Sequence, residues 1–293
     1  MSLISAYINR TFAKGDKARD AGLSTPDDVI RYDDISYGTA EKWHLLDVYR
    51  PKETEGKLPV IVSVHGGGWV YGDKEVYQFY GMSLAQRGFV VMNFNYRLAP
   101  KYRYPAQVED LNAVIHWMLK NGEKYGFDLN NVFAVGDSAG GHLLSVYTAI
   151  LTNPAYRTQY QLELPEGFCF NAVALNCGIY RQEKPKKKDL SSLLLNDVLP
   201  KGWQQSDLDR MNSYDKLTPD FPPVYLMSAT GDFLRPQADI LKEQLEKNGI
   251  EYVMKIYGSQ SDALPHVFHV NIRFKAADEC NTEECEFFRK HLK

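Results

Sequence analysis

Short apolar runs recur along the chain, and most are followed by a stretch with helical spacing of apolar positions. The runs are Val60-Ile61-Val62-Ser63-Val64, Phe89-Val90-Val91-Met92-Asn93-Phe94, Asn131-Val132-Phe133-Ala134-Val135, Ala172-Val173-Ala174-Leu175, Val224-Tyr225-Leu226-Met227 and Tyr252-Val253-Met254-Lys255-Ile256. Their length and β-branched content predict buried strands rather than helices. An earlier strand is predicted at Leu45-Leu46-Asp47-Val48-Tyr49, ended by Pro51. Three helices are predicted between the runs. Gln107–Lys120 carries Val108, Leu111, Val114, Ile115 and Met118 on one face. Gly140–Leu151 carries Leu143, Leu144, Tyr147, Ile150 and Leu151, and Gln237–Asn248 carries Ile240, Leu241 and Leu245 before a stop at Gly249. Strands alternating with helices predict the α/β class, with a mostly parallel sheet covered on both faces. Right-handed crossovers then put functional loops at the carboxyl ends of the strands.

Two segments stand outside that alternation. Residues 1–30 are polar, with helix-like spacing of Ile4, Ile8 and Phe12. Residues 180–221 interrupt the core pattern with Lys184-Pro185-Lys186-Lys187-Lys188, Leu193-Leu194-Leu195 and Gly202-Trp203. An insertion this long between core strands reads as a functional lid. The lysine run reads as a solvated face, too short for a nucleic-acid stripe, and Trp203 reads as a packing residue.

Gly136-Asp137-Ser138-Ala139-Gly140 follows one predicted strand and opens a predicted helix. A sharp strand-to-helix turn strains the backbone at the serine and brings main chain close at the flanking positions, so glycines are needed there. The helix N-terminus favours developing negative charge at Ser138. His65-Gly66-Gly67-Gly68-Trp69 follows the strand at Val60–Val64. Consecutive glycines leave backbone N–H groups free to converge on one oxygen, as an oxyanion requires. His65 is assigned a supporting role, hydrogen-bonded within this loop.

A nucleophilic serine needs a base, and the base needs an orienting acid. His142 lies one turn into the helix after Ser138 and His291 lies near the C-terminus, which leaves His266 and His269. His266 is the preferred base because it sits closer to the end of the preceding strand, and His269 is given a structural role. Asp232, directly after Val224–Met227, is the preferred acid over Asp239, inside the next helix, and Asp262, in a loop. Asp232 can also cap the helix that begins near Leu234–Arg235.

Composition narrows the field further. Of 293 residues, 44% are hydrophobic and 24% charged, enough for a large core without disulfide or metal staples. A net charge of −3 gives no electrostatic reason for a nucleic-acid or anionic-membrane partner. Cys169 and Cys177 read as reduced core thiols, while Cys280 and Cys285 fall in a polar C-terminal segment. None of the four has zinc-ligand spacing, so no metal and no cofactor is expected. The first residues lack the basic-then-apolar pattern of a secretory signal, and no apolar run reaches transmembrane length. A cytoplasmic protein is expected.

Taken together, His65-Gly66-Gly67-Gly68, Asn95-Tyr96-Arg97-Leu98-Ala99-Pro100, Pro105-Ala106-Gln107-Val108-Glu109-Asp110, Gly136–Gly141, Gly231-Asp232-Phe233-Leu234-Arg235 and His266-Val267-Phe268 resemble the hormone-sensitive-lipase-like esterases. The resemblance covers residues from about 58 to 292. It implies the α/β-hydrolase fold, with a mostly parallel eight-stranded sheet, helices on both faces and a small cap. It implies one domain over 1–293, with cap elements from about 1–40 and 180–221. The implied catalytic residues are Ser138, Asp232 and His266, with the N–H groups of Gly67, Gly68 and Ala139 as oxyanion hole and His65 and Gly66 as loop support. The implied function is serine carboxylesterase action on a small-molecule ester, small or short-acyl, and the family often dimerises, so a homodimer is possible. Trp69 and Gly141-His142-Leu143 are similar to bacterial feruloyl and carbohydrate acetyl esterases and to kynurenine formamidases, which keeps those substrates and amide cleavage open. A non-catalytic receptor of this fold is disfavoured because all three catalytic candidates are present.

Overall fold

The apolar runs form the centre of an eight-stranded sheet in the computed structural model, which describes residues 2–187 and 189–293. The elements run α1 (Leu3–Asp20), β1 (Val29–Ser36), β2 (Leu45–Pro51), β3 (Leu58–Val64), α2 (Lys74–Ala85), β4 (Val90–Phe94), α3 (Ala106–Tyr125), β5 (Phe127–Asp137), α4 (Ala139–Thr152), α5 (Pro154–Arg157), β6 (Ala172–Asn176), α6 (Leu190–Val198), α7 (Gln205–Met211), β7 (Val224–Ala229), α8 (Arg235–Lys247), β8 (Tyr252–Tyr257) and α9 (Lys275–Arg289). Single 3₁₀ turns lie at Glu41–His44 and Phe268–Val270. Lys188, at the end of the basic run, lies outside the described residues.

The strand order is β1-β2-β4-β3-β5-β6-β7-β8. Pairs β1–β2 and β2–β4 are antiparallel and every other pair is parallel, so β2 alone runs against the rest. This is the α/β-hydrolase fold. Side chains alternate across the sheet. Val60, Val62 and Val64 of β3 join one core with residues of α3, α4 and α8, while Ile61 joins a second core with α2 and α9. Each fully buried Val or Leu contributes about 1.5–3 kcal/mol, so both faces must be covered. The carboxyl ends of β3, β5, β7 and β8 share one rim, where the candidate loops emerge.

Several features differ from the sequence reading, among them helix α2, whose segment Lys74–Ala85 was not anticipated as helical. The strand β1 was not anticipated, because only Val29 of its eight residues is fully buried and its alternation is weak. The C-terminal segment read as merely polar is the amphipathic helix α9, which buries Ala277, Cys280, Asn281, Glu284, Cys285, Phe287 and Phe288. Cys169 is exposed rather than in the core, whereas Cys177, Cys280 and Cys285 are buried, and all four are free. No helix among the described residues is long and apolar enough to cross a membrane.

Candidate active site

Ser138 occupies the single residue between β5 and α4, with φ 51° and ψ −118°. That conformation costs a non-glycine residue about 1–3 kcal/mol and persists only where its surroundings fix it. They do so tightly. A Cβ on Gly140 would stand 2.0 Å from the Val64 carbonyl oxygen, so any other residue there would push α4 off β3. The Ser138 N–H donates to the Asn176 carbonyl at the end of β6, 3.0 Å, and the Ser138 carbonyl accepts the His142 N–H, 3.1 Å.

The loops after β7 and β8 bring Asp232 and His266 to this serine. His266 Nε2 lies 3.0 Å from Ser138 Oγ, and His266 Nδ1 lies 2.7 Å from Asp232 Oδ1. A carboxylate only accepts, so Nδ1 carries the ring proton and the Nε2 lone pair faces the hydroxyl. The two loops are joined by the Gly231 N–H, which donates to the Leu264 carbonyl at 2.9 Å. Asp232 also accepts the Leu234 N–H at 2.9 Å and the Ser228 hydroxyl at 2.7 Å. Burial pushes its carboxyl up, but the His266 hydrogen bond and charge and these two donors outweigh it and hold the group below its usual value. Asp239 and Asp262 are exposed and take no part.

The glycine loop passes beside Ser138. Gly67 (φ 111°), Gly68 (φ 61°) and Trp69 (φ 62°) all have left-handed backbone. A Cβ on Gly67 would stand 2.2 Å from the Tyr71 carbonyl oxygen. The N–H groups of Gly67, Gly68 and Ala139 make no hydrogen bond to protein acceptors among the described residues. His65 is buried, donates from Nδ1 to the Gly66 carbonyl at 2.7 Å, and stacks on Tyr96 with centroids 4.0 Å apart. Burial pushes its pKa down to about 4, so the ring is neutral.

A BD-FAE family model matches residues 46–234. The chain belongs to the BD-FAE family. Within it, the chain is similar to esterase LipC of Mycobacterium tuberculosis, 32% identical over 66% of this chain and 49% of LipC. It is 28% identical to the versiconal hemiacetal acetate esterase of Dothistroma septosporum over 75% of this chain and 70% of that protein. The chain thus spans about half the length of LipC, and 60% of the putative α/β hydrolase R526 of Acanthamoeba polyphaga mimivirus, to which it is 27% identical. The crystal structure of esterase B from Lactobacillus Rhamnosis superimposes with a TM-score of 0.88 at 28% identity, covering 99% of this chain and 95% of that one. This BD-FAE member is thus a hormone-sensitive-lipase-like α/β hydrolase.

Around the site of this BD-FAE protein, the roles of Tyr77, Asp137 and His142 were not anticipated, whereas the sequence reading gives His269 a structural one. Tyr77 of α2 donates to Asp137 Oδ2 at 2.7 Å and accepts the Gly66 N–H at 2.9 Å, tying the glycine loop to the residue before Ser138. Burial pushes the Asp137 carboxyl up to about 7, against the opposing pull of Tyr77, His266 and Arg19. His142 accepts the Trp69 indole N–H at 3.1 Å and donates from Nε2 to the Met211 carbonyl at 2.8 Å. It therefore joins the glycine loop to α7, and burial keeps it neutral with a pKa near about 4. His269 is buried with neither ring nitrogen partnered, its ring edge-on to Tyr80 at 5.2 Å.

A cavity of about 360 Å³ opens onto Ser138, His266 and Gly67. Its roof comes from α1, through Phe12, Asp16 and Arg19, and Phe233 stands at its edge, 4.6 Å from the His266 ring. No described residue of 180–221 lines it. The insertion touches both neighbours of the cavity: Leu194 of α6 stands 3.6 Å from where a Cβ on Gly68 would lie, and Asp197 accepts the hydroxyls of Ser2 and Ser5. Cys177, Asp232 and His266 offer ligand atoms within 4.8 Å of one another. The Asp232 and His266 atoms already bond each other, and burial pushes the Cys177 thiol well up, so the group is poorly set for a metal.

Proposed function

We propose that this protein is a serine carboxylesterase that hydrolyses small or short-acyl esters through an acyl-enzyme. One observation carries the proposal: a continuous Ser138–His266–Asp232 hydrogen-bonded chain opens onto a cavity beside unpaired N–H groups. His266 Nε2 takes the Ser138 proton as Oγ attacks the ester carbonyl carbon. The resulting oxyanion rests on the Gly67, Gly68 and Ala139 N–H groups, one such donor being worth roughly 2.7–4 kcal/mol. The C–O bond to the alcohol breaks, and the alkoxide leaves with the proton from His266. Water then adds to the acyl-enzyme by the same route, His266 accepting its proton, and Ser138 is released with the acid.

The relatives support an ester substrate. LipC is named an esterase and NlhH of Mycobacterium tuberculosis a carboxylesterase, the latter 33% identical over 44% of this chain. Esterase B, 29% identical, has been captured with a C4-C4 tributyrin phosphonate. The cavity volume favours acyl groups of similar size. The same reading assigns one domain over 1–293, with α1 as the cap above Ser138 and 180–221 as its support.

Ser138→Ala tests the proposal on p-nitrophenyl acetate, butyrate and longer acyl esters. The expected result is a loss of kcat on the order of 10⁴-fold or more with an unchanged melting temperature, and fluorophosphonate labelling of wild type alone. Retained hydrolysis in Ser138→Ala would sink it.

A further inference from the structure

Glu284 is a carboxylic acid buried where its fold has no apparent use for a charge. It lies on α9, fully shielded from solvent, on the helix face that also buries Cys280, Cys285, Phe287 and Phe288. Burying such a group is unfavourable unless its hydrogen bonds are met. Two are. Glu284 Oε2 accepts from Asn176 Nδ2 at 2.6 Å, and Oε1 accepts the Tyr80 hydroxyl at 3.0 Å. No lysine or arginine among the described residues bonds it. The charged and titratable groups that face it are Tyr80 from α2, Arg87 just past the end of α2, Asp137 from β5, Tyr225 from β7, and Cys280 and Cys285 from its own helix. Arg87 is committed to Asp278, Thr282 and the Ser83 carbonyl.

Asn176 makes this arrangement consequential. It is the last residue of β6, and its carbonyl accepts the Ser138 N–H at 3.0 Å. Directly after it, Cys177 turns out of the strand with φ 47°. The strained elbow at Ser138 therefore leans on a strand end that is itself about to bend. That end is paired with Asp137 of β5 and Met227 of β7, and the Cys177 N–H donates to the Met227 carbonyl at 2.7 Å; the Asn176 side chain adds a third tie, to Glu284. Asn176 Oδ1 has no hydrogen-bond partner among the described residues, so removing Glu284 would leave the whole buried amide unpaired.

We infer that Glu284 is a positioning residue for the nucleophile, acting through Asn176. The inference rests on Ser138 being that nucleophile. A glutamine at 284 preserves the tie: its carbonyl accepts from Tyr80, and its N–H₂ donates to Asn176 Oδ1 once the asparagine amide turns over, an orientation set by the hydrogen-bond network. An apolar residue of similar size does not preserve it.

The test compares wild type with Glu284→Leu, Glu284→Gln, Asn176→Ala and the Glu284→Leu/Asn176→Ala double variant. Each is assayed well below its own melting temperature. The readouts are the fluorophosphonate inactivation rate and the pre-steady-state burst of p-nitrophenyl acetate. Misplacing the nucleophile should slow acylation in Glu284→Leu on the order of 10- to 100-fold with KM nearly unchanged. Glu284→Gln should restore most of that rate, and the double variant should be no slower than the slower single one. If Glu284→Leu does not fold, Asn176→Ala carries the same expectation. Acylation at the wild-type rate in the apolar and alanine variants, or a Gln variant as slow as the Leu variant, overturns the inference. Failure of wild type to label would instead remove the assignment of Ser138.

Discussion

Ser138 stands between two hydrogen-bonded tiers of opposite character. In front, His266 and Asp232 come from loops, open onto a cavity and meet the serine through side-chain atoms. Behind, Asp137 and Glu284 are buried and end in contacts to tyrosines of one helix: Tyr77 and Tyr80, three residues apart on α2. Residues at that spacing share a helix face. The rear tier touches backbone rather than reacting atoms, because Tyr77 holds the Gly66 N–H and Asn176 holds the Ser138 N–H. The front tier is built to move a proton and the rear tier to fix where the main chain lies. Losses in front should be large and chemical, and losses behind graded and geometric.

The sharpest way to break that contrast is Asp232→Asn. An asparagine keeps the shape but presents an amide to His266 Nδ1, so the lone pair no longer faces Ser138. The expected fall in kcat is roughly 10³–10⁴-fold with little change in melting temperature, measured by steady-state hydrolysis and thermal unfolding. A fall of less than tenfold would put Asp232 on the same footing as the rear residues.

Tyr77→Phe probes the rear tier with a smaller change. It leaves the Gly66 N–H and the Asp137 carboxyl without their shared hydroxyl. Stripping a buried group of its partner costs about 1–3 kcal/mol. Unfolding in urea should show a loss of that size, and kcat/KM should drop about tenfold if oxyanion donors weaken in proportion. A stability loss with unchanged kcat/KM would make Tyr77 a packing residue alone.

The two tiers also differ in how far the sequence discloses them. Ser138, Asp232, His266 and the glycine loop stand out because their chemistry demands particular residue types at strand ends. Nothing comparable marks Glu284. In Lys275–Arg289 it sits among acidic and polar neighbours, and a glutamate there reads as a solvated surface. Tyr77 and Tyr80 lie in a segment that was not anticipated as a helix. Asp137 lay inside the recognised motif, yet its partner came from another element. Ile4, Ile8 and Phe12 announced helix α1, but that its Phe12, Asp16 and Arg19 line the cavity at Ser138 depends on tertiary packing and is not marked in the sequence.

The mildest change, Glu284→Gln, sharpens the comparison through pH. Burial lifts the Glu284 carboxyl from 4.5 to about 7 in the folded protein. Between those values the unfolded chain has released the proton and the folded chain still holds it. Wild-type stability from this group is therefore fully present below about pH 4.5 and is lost as pH rises to about 7. Glutamine has no such proton. The stability of Glu284→Gln relative to wild type should grow across that window, by at most roughly 3 kcal/mol, and level off above it. His65 and His142 are pushed down to about 4, so their contributions slope the other way, falling as pH drops below 6.5. They are present in both proteins and largely cancel in the difference, which is why the difference rather than either curve is the measurement. Asp137 shares the upward direction, and Asp137→Asn gives a parallel case on the same face of the sheet. A difference that stays flat from about pH 5 to 8 would mean that Glu284 does not titrate in this window. A difference that shrinks with rising pH would mean an ionised Glu284 stabilised by a cation, with Arg87 the candidate nearest in charge. Only a difference that grows with pH fits a neutral acid held behind Ser138 by two hydrogen bonds and no ion pair.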